Sequence, residues 1–155
     1  MRPSTPLSAK VRAALWGALL LTLAACTLTQ TDASSQAVRA RLAAQLAETQ
    51  NAYTHAADLW ERLIAGETVS CQEAIHTPPP LVLSEREQRA HPTVADVQSA
   101  LDEARGAVQV AAELWQGTCT TPDAAVPLET ARAAREALRT ADAALEQAAA
   151  LLAGW

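Results

Sequence analysis

The chain has 155 residues, 12 basic against 17 acidic, and half of it is hydrophobic although it holds no Phe, one Tyr and four Trp. A net charge of −5 with no basic stripe excludes an electrostatic binder of nucleic acid, and the length suits one small domain. Alanine is the main apolar residue, and burial stabilises by only about 25 cal/mol per Å² of apolar surface. A core of that kind relies on long helices, close backbone approach or a covalent staple.

Arg2, Lys10 and Arg12 precede an apolar run from Ala13 to Ala25, which leads into Leu23-Ala24-Ala25-Cys26. The chain then turns polar at once, with Thr27, Thr29, Gln30, Thr31 and Asp32. A basic start, a short apolar run and small residues before a cleavage point are the parts of an export signal. A membrane span needs roughly 20 apolar residues, more than this run supplies, and Gly17 interrupts it. The segment resembles a bacterial lipoprotein signal peptide with its lipobox, and the resemblance covers residues 1–26 alone. It implies that residues 1–25 are removed and that Cys26 is lipidated and becomes the first mature residue. It further implies an exported, lipid-anchored protein of the cell envelope, with the membrane as its partner through that lipid. Thr27 after the cysteine, rather than an aspartate, implies the outer membrane where the host has two. The mature chain would then carry 12 − 3 = 9 basic residues, all Arg, against 17 acidic, a net charge of 9 − 17 = −8.

Residues 26–33 are expected to be a flexible, lipidated tether, and residues 34–155 the folded domain. A first long helix is predicted over 34–65. Val38, Leu42, Leu46, Tyr53, Trp60 and Leu63 recur at spacings of three, four or seven, and Gly66 supplies a stop. Residues 66–92 break the pattern with Cys71, Pro78-Pro79-Pro80 and a charged stretch in which one helical turn fits around Glu85–Arg89. Three successive prolines favour an extended polyproline path, so this is read as a crossover. The second long helix is predicted over 94–116. Its seam runs through Val94, Val97, Leu101, Ala104, Val108, Ala111 and Trp115 in strict three-four alternation, with Gly117 as its end. The third is predicted over 127–153, opening on Pro127, with a seam of Ala131, Ala134, Leu138, Ala141, Leu145, Ala148, Leu152 and Trp155. The fold class is therefore all-α, a bundle of three long helices with a proline-rich crossover between the first two.

With Cys26 given to lipid, Cys71 and Cys119 form an even pair in an oxidising compartment, which predicts a disulfide. Bridged cysteines bring their α-carbons to about 4.4–6.8 Å. That requirement sets the first two helices parallel and gives the proline run the task of a return strap. A short turn between the second and third helices makes those two antiparallel, which sends Trp155 to the end of the bundle opposite Cys119.

Catalytic chemistry finds no footing here. The sequence has no G-x-S-x-G and no phosphate-cradling glycine loop, and Asp58/Glu61 and Asp102/Glu103 read as exposed helix charges. His55, His76, His91 and Cys71 lack the close pairing of zinc ligands, so no metal and no cofactor are expected. Ala56-Ala57-Asp58-Leu59-Trp60 echoes Ala111-Ala112-Glu113-Leu114-Trp115. Trp60 and Trp115 then either line a ligand pocket or fill core space that alanine cannot. Pro78, Pro79 and Pro80, with Leu81-Val82-Leu83, are either a partner-docking strip or a crossover whose leucines cover the bundle. The expectation is a non-catalytic, membrane-anchored binding or scaffold module, with another envelope protein as its candidate partner. The alternative is a carrier or sensor of a small apolar ligand.

Overall fold

The structure is a computed structural model that describes residues 9–67, 69–70, 72–119 and 126–155, with the backbone alone along 9–32. It is all-α, with no strand among the described residues. Four helices follow in order: α1 (Ala9–Ile64), α2 (Glu85–Gln88), α3 (Val94–Cys119) and α4 (Leu128–Ala153). Three are long and α2 is a single turn, at the place where one turn fits the sequence.

The three long helices differ from expectation chiefly at their ends. As a backbone element α1 starts at Ala9 and so includes the stretch read as signal and tether. Neither glycine nor proline interrupts the chain between Gly17 and Gly66, so nothing local marks a start near residue 34. Among the described side chains of α1, Val38 is the first that is fully buried. Its C-terminus is closed by Gly66 at φ +84°, where the Gly66 N–H donates to the Leu63 carbonyl and the Glu67 N–H to the Arg62 carbonyl. That pair of bonds is a Schellman motif, and glycine takes the left-handed φ without a Cβ penalty. Gly117 does not end α3, which runs on to Cys119. A helical glycine costs only about 1 kcal/mol, and Thr118 returns a bond from Oγ1 to the Leu114 carbonyl at 2.8 Å. Pro127 serves as the N-cap of α4 rather than its first helical residue.

The order of contacts fixes the topology. At one end Val38 and Leu42 of α1 cluster with Val94, Val97 and Leu101 of α3 and with Ala148 and Leu152 of α4. At the other end Ala56, Leu59 and Trp60 cluster with Val108, Ala111 and Trp115 and with Ala134, Leu138 and Ala141. Low numbers therefore meet low numbers between α1 and α3, which are parallel, and α4 runs antiparallel to both. Alanines meet across the α3–α4 seam, with Ala104 beside Ala144 and Ala111 in one cluster with Ala134 and Ala141. Small side chains let the backbones approach closely, which restores by contact what each alanine lacks in area. All the predicted seam positions of α3, and those of α4 except the half-buried Trp155, are buried. No helix among the described residues is long and apolar enough to cross a membrane.

Candidate functional site

Trp60 and Trp115 do meet, with ring centroids 5.8 Å apart and planes at 80°. They are 1% and 2% exposed, so the pair is core and not the wall of a shared pocket. Each indole N–H is spent on a backbone carbonyl. Trp60 Nε1 donates to Ala111 at 3.1 Å, and Trp115 Nε1 donates to Glu73 at 2.9 Å. The second bond reaches into the crossover and ties its start to the C-terminal end of α3.

The crossover returns along α1 and α3 as an extended strap. A polyproline path leaves its carbonyls without internal partners, and side chains from both helices supply them. Gln45 Nε2 donates to the Pro79 carbonyl at 2.9 Å, Gln98 Nε2 to Leu81 at 3.0 Å, and Arg41 Nη2 to Val82 at 3.0 Å. Ile75 and Leu83 of the strap are buried against the bundle, and Pro79, Pro80 and Val82 face solvent. The leucines cover the bundle, as one of the two readings of Pro78-Pro79-Pro80 required, while the outer edge stays open. The strap ends in α2, whose capping box joins Ser84 and Glu87. The Ser84 backbone N–H and hydroxyl both donate to the Glu87 carboxylate, at 2.8 and 2.7 Å, and Arg41 pairs with it from α1. The Ser84 hydroxyl, its backbone N–H and the Arg41 cation together hold the Glu87 carboxyl at about 2, below its ordinary 4.5.

What opens is a groove of about 1230 Å³ between the C-terminal half of α1 and the N-terminal half of α4. Ala57, Trp60, Ile64 and Leu138 form its floor. Its rims carry Glu61 on α1 and Glu129, Arg132, Arg135, Glu136, Arg139 and Asp142 on α4. Most rim charges are committed within the chain. Arg132 pairs with Glu129 at 3.9 Å, and Arg139 pairs with Glu136. Tyr53 closes one end of the groove beside Asp142; burial first, then that carboxylate, pushes its phenol above the ordinary value. Of the two tryptophans only Trp60 lines this groove.

The opposite end of the bundle is closed by the C-terminus. Trp155 stacks on His91 with centroids 4.4 Å apart and planes at 14°, and its Nε1 donates to Ser35 Oγ at 3.2 Å. Arg39 Nη2 donates to the Leu152 carbonyl at 3.0 Å. Trp155 thus sits beside the start of the packed part of α1, at the end away from Cys119.

Of the sequence-predicted cysteines, Cys119 is half-buried against the core cluster that holds both tryptophans. Cys71 lies outside the described residues, and Cys26 falls where the backbone alone is described. Among the described residues no three His, Cys, Asp or Glu side chains converge as metal ligands would. Gln45, Thr49 and the groove rims are the functional-looking positions that sequence reasoning missed. Their signal was faint: polar residues lying on, or level with, an otherwise apolar helical face. Compared with known proteins, the chain matches no family model, no curated protein and no solved structure.

Proposed function

We propose that the chain is an exported lipoprotein in which lipid on Cys26 holds a small, non-catalytic binding or scaffold module at the cell envelope. The observation that carries the binding half is the groove between α1 and α4, with its apolar floor and its rims of both charge signs. Apolar floors with polar rims are the usual anatomy of docking surfaces. Tyr53, where the groove begins, lies about 22 Å beyond Val38 at 1.5 Å per residue, away from the lipid-bearing end. The lipid half rests on Leu23-Ala24-Ala25-Cys26 and the basic and apolar segments before it. Thr27 directs the protein to the outer membrane in a host with two membranes.

A Cys71–Cys119 bridge belongs to the same reading. Val69 and Cys119 pack against one core cluster, and the Glu73 carbonyl accepts from Trp115, so residues on both sides of Cys71 lie at the end of α3. An exported compartment preserves such a bond. A second reading, carriage of a small apolar ligand, draws on Trp60 in the groove floor.

Clickable fatty-acid labelling should tag the wild type and leave Cys26→Ser untagged; equal labelling would sink the lipoprotein reading. Pull-down of the lipidated protein from native membranes should then return a protein partner. Co-purification of an apolar small molecule with no protein would favour the carrier instead.

A further inference from the structure

We propose that the occupant of the α1–α4 groove is a second copy of this chain, so that the protein is a two-fold dimer in which Glu61 of each copy pairs with the partner's Arg135. The inference deepens the reading of the groove as a docking surface and does not depend on the lipid.

The charges on the rims point to this occupant. Arg132 and Arg139 are paired with Glu129 and Glu136. Glu61, Arg135 and Asp142 are in no ion pair among the described residues; Asp142 sits at the Tyr53 end of the groove, which leaves Glu61 and Arg135, both exposed, further along it. They have opposite signs and stand on opposite walls. They are also level. Tyr53 packs against the cluster of Ala144 and Leu145 and lines the groove with Asp142, and Glu61 lies 61 − 53 = 8 residues further along α1. Eight residues back along the antiparallel α4 is 142 − 8 = 134, one position from Arg135. Equal rise per residue along both helices keeps the two at one height.

A face that carries one acid and one base at the same height is complementary to itself. A two-fold axis parallel to the helices sets α1 of one copy over α4 of the other without shifting the height. Each Glu61 then meets the partner's Arg135, and the contact occurs twice, as an isologous interface requires. The four helices, α1 and α4 from each copy, enclose the two floors, in which Ala57 and Ile64 are half-buried, as a four-helix arrangement around one apolar seam. The same axis leaves the two α1 helices parallel, so both N-termini leave from one end and both copies can stand on one membrane. Tethering to a common surface would raise their effective concentration.

The test is sedimentation of the full chain in detergent for the wild type, Glu61→Arg, Arg135→Glu, the double reversal, and an equimolar mixture of the two single variants. Far-UV circular dichroism confirms that each variant stays helical. The wild type should be a dimer. Each single reversal sets like charges together twice and should weaken self-association by about tenfold or more. The double reversal should restore it. The mixture should form heterodimers, since one copy then offers two arginines and the other two glutamates. A monomeric wild type would overturn the inference while leaving the groove open to a different protein, which the membrane pull-down would return. A dimer unaffected by either reversal, or single variants that fail to rescue one another, would overturn it as well.

Discussion

Trp60 donates its indole N–H to Ala111, one turn before Trp115 on α3, and its ring meets Trp115 edge to face. Two five-residue stretches of near-identical sequence, one on each helix, thus close on each other at the upper end of the bundle. In a core otherwise built largely of alanine, these two rings supply much of the local contact area. Trp60→Ala should cost about 3–5 kcal/mol, since the neighbours Ala56, Ala107 and Ala111 cannot reach across the void. Urea unfolding monitored by circular dichroism checks this; a loss under about 1 kcal/mol would show that the site collapses freely.

Trp115→Phe tests a different link. The ring is largely kept, but the Glu73 carbonyl loses its donor and the strap loses its first anchor. A cost of about 1–2 kcal/mol is expected, with cleavage by an added protease appearing in the segment that follows Cys71. Cleavage at the same rate as wild type would mean that the strap is held without this bond.

Gln45→Leu should loosen the strap at its middle. Gln45 is 8% exposed, so its replacement leaves the Pro79 carbonyl facing an apolar side chain. A destabilisation of about 0.5–1.5 kcal/mol follows for the lost hydrogen bond, more than Gln98→Leu should cost because Gln98 is less buried. Thermal unfolding of the two variants side by side decides the order.

The strap-to-α2 junction should weaken in acid. The Glu87 carboxyl is held at about 2, below its ordinary 4.5. A depressed value means that the contribution is fully present above the unfolded value of 4.5 and is lost as pH falls from there towards 2. Glu87→Gln removes that dependence, so its stability should fall less steeply than that of wild type across this window. Parallel slopes for the two proteins would assign the acid response to other carboxylates.

Reduction should be costly if Cys71 and Cys119 are bridged. Closing a loop of that length stabilises by roughly 3–4 kcal/mol in the chain-entropy model. Thiol counting on denatured, unreduced mature protein should find no free thiol beyond any unlipidated Cys26. Two further thiols would refute the bridge.

The seams of α3 and α4 are legible in the sequence because their apolar residues keep three-four spacing without a break. The seam of α1 is less so. It jumps seven residues from Leu46 to Tyr53 and again to Trp60, and the skipped positions, Thr49 and Ala56, are both fully buried. Gln45 is buried nearby because strap carbonyls need a donor there, a demand set by a segment more than 30 residues away in the chain. Thr49 is satisfied within its own helix, donating to the Gln45 carbonyl at 2.8 Å. The groove is illegible for a related reason. It arises from the relative placement of α1 and α4, and no local pattern records how far apart two helices stand.

The parallel setting of α1 and α3 also dictates an order of assembly. α3 and α4 are neighbours in sequence and form a hairpin of local contacts, which costs little chain entropy to close. α1 joins them only across the long strap, and its lower end is finished by Leu152 and Trp155 through Arg39 and Ser35. α1, which precedes both in the chain, must therefore wait for Leu152 and Trp155 before its lower face is covered. In pulsed hydrogen exchange during refolding, amides of α3 and α4 should gain protection before those of α1. Deleting Gly154 and Trp155 should widen that interval, leaving α1 the straggler at the end where the chain began.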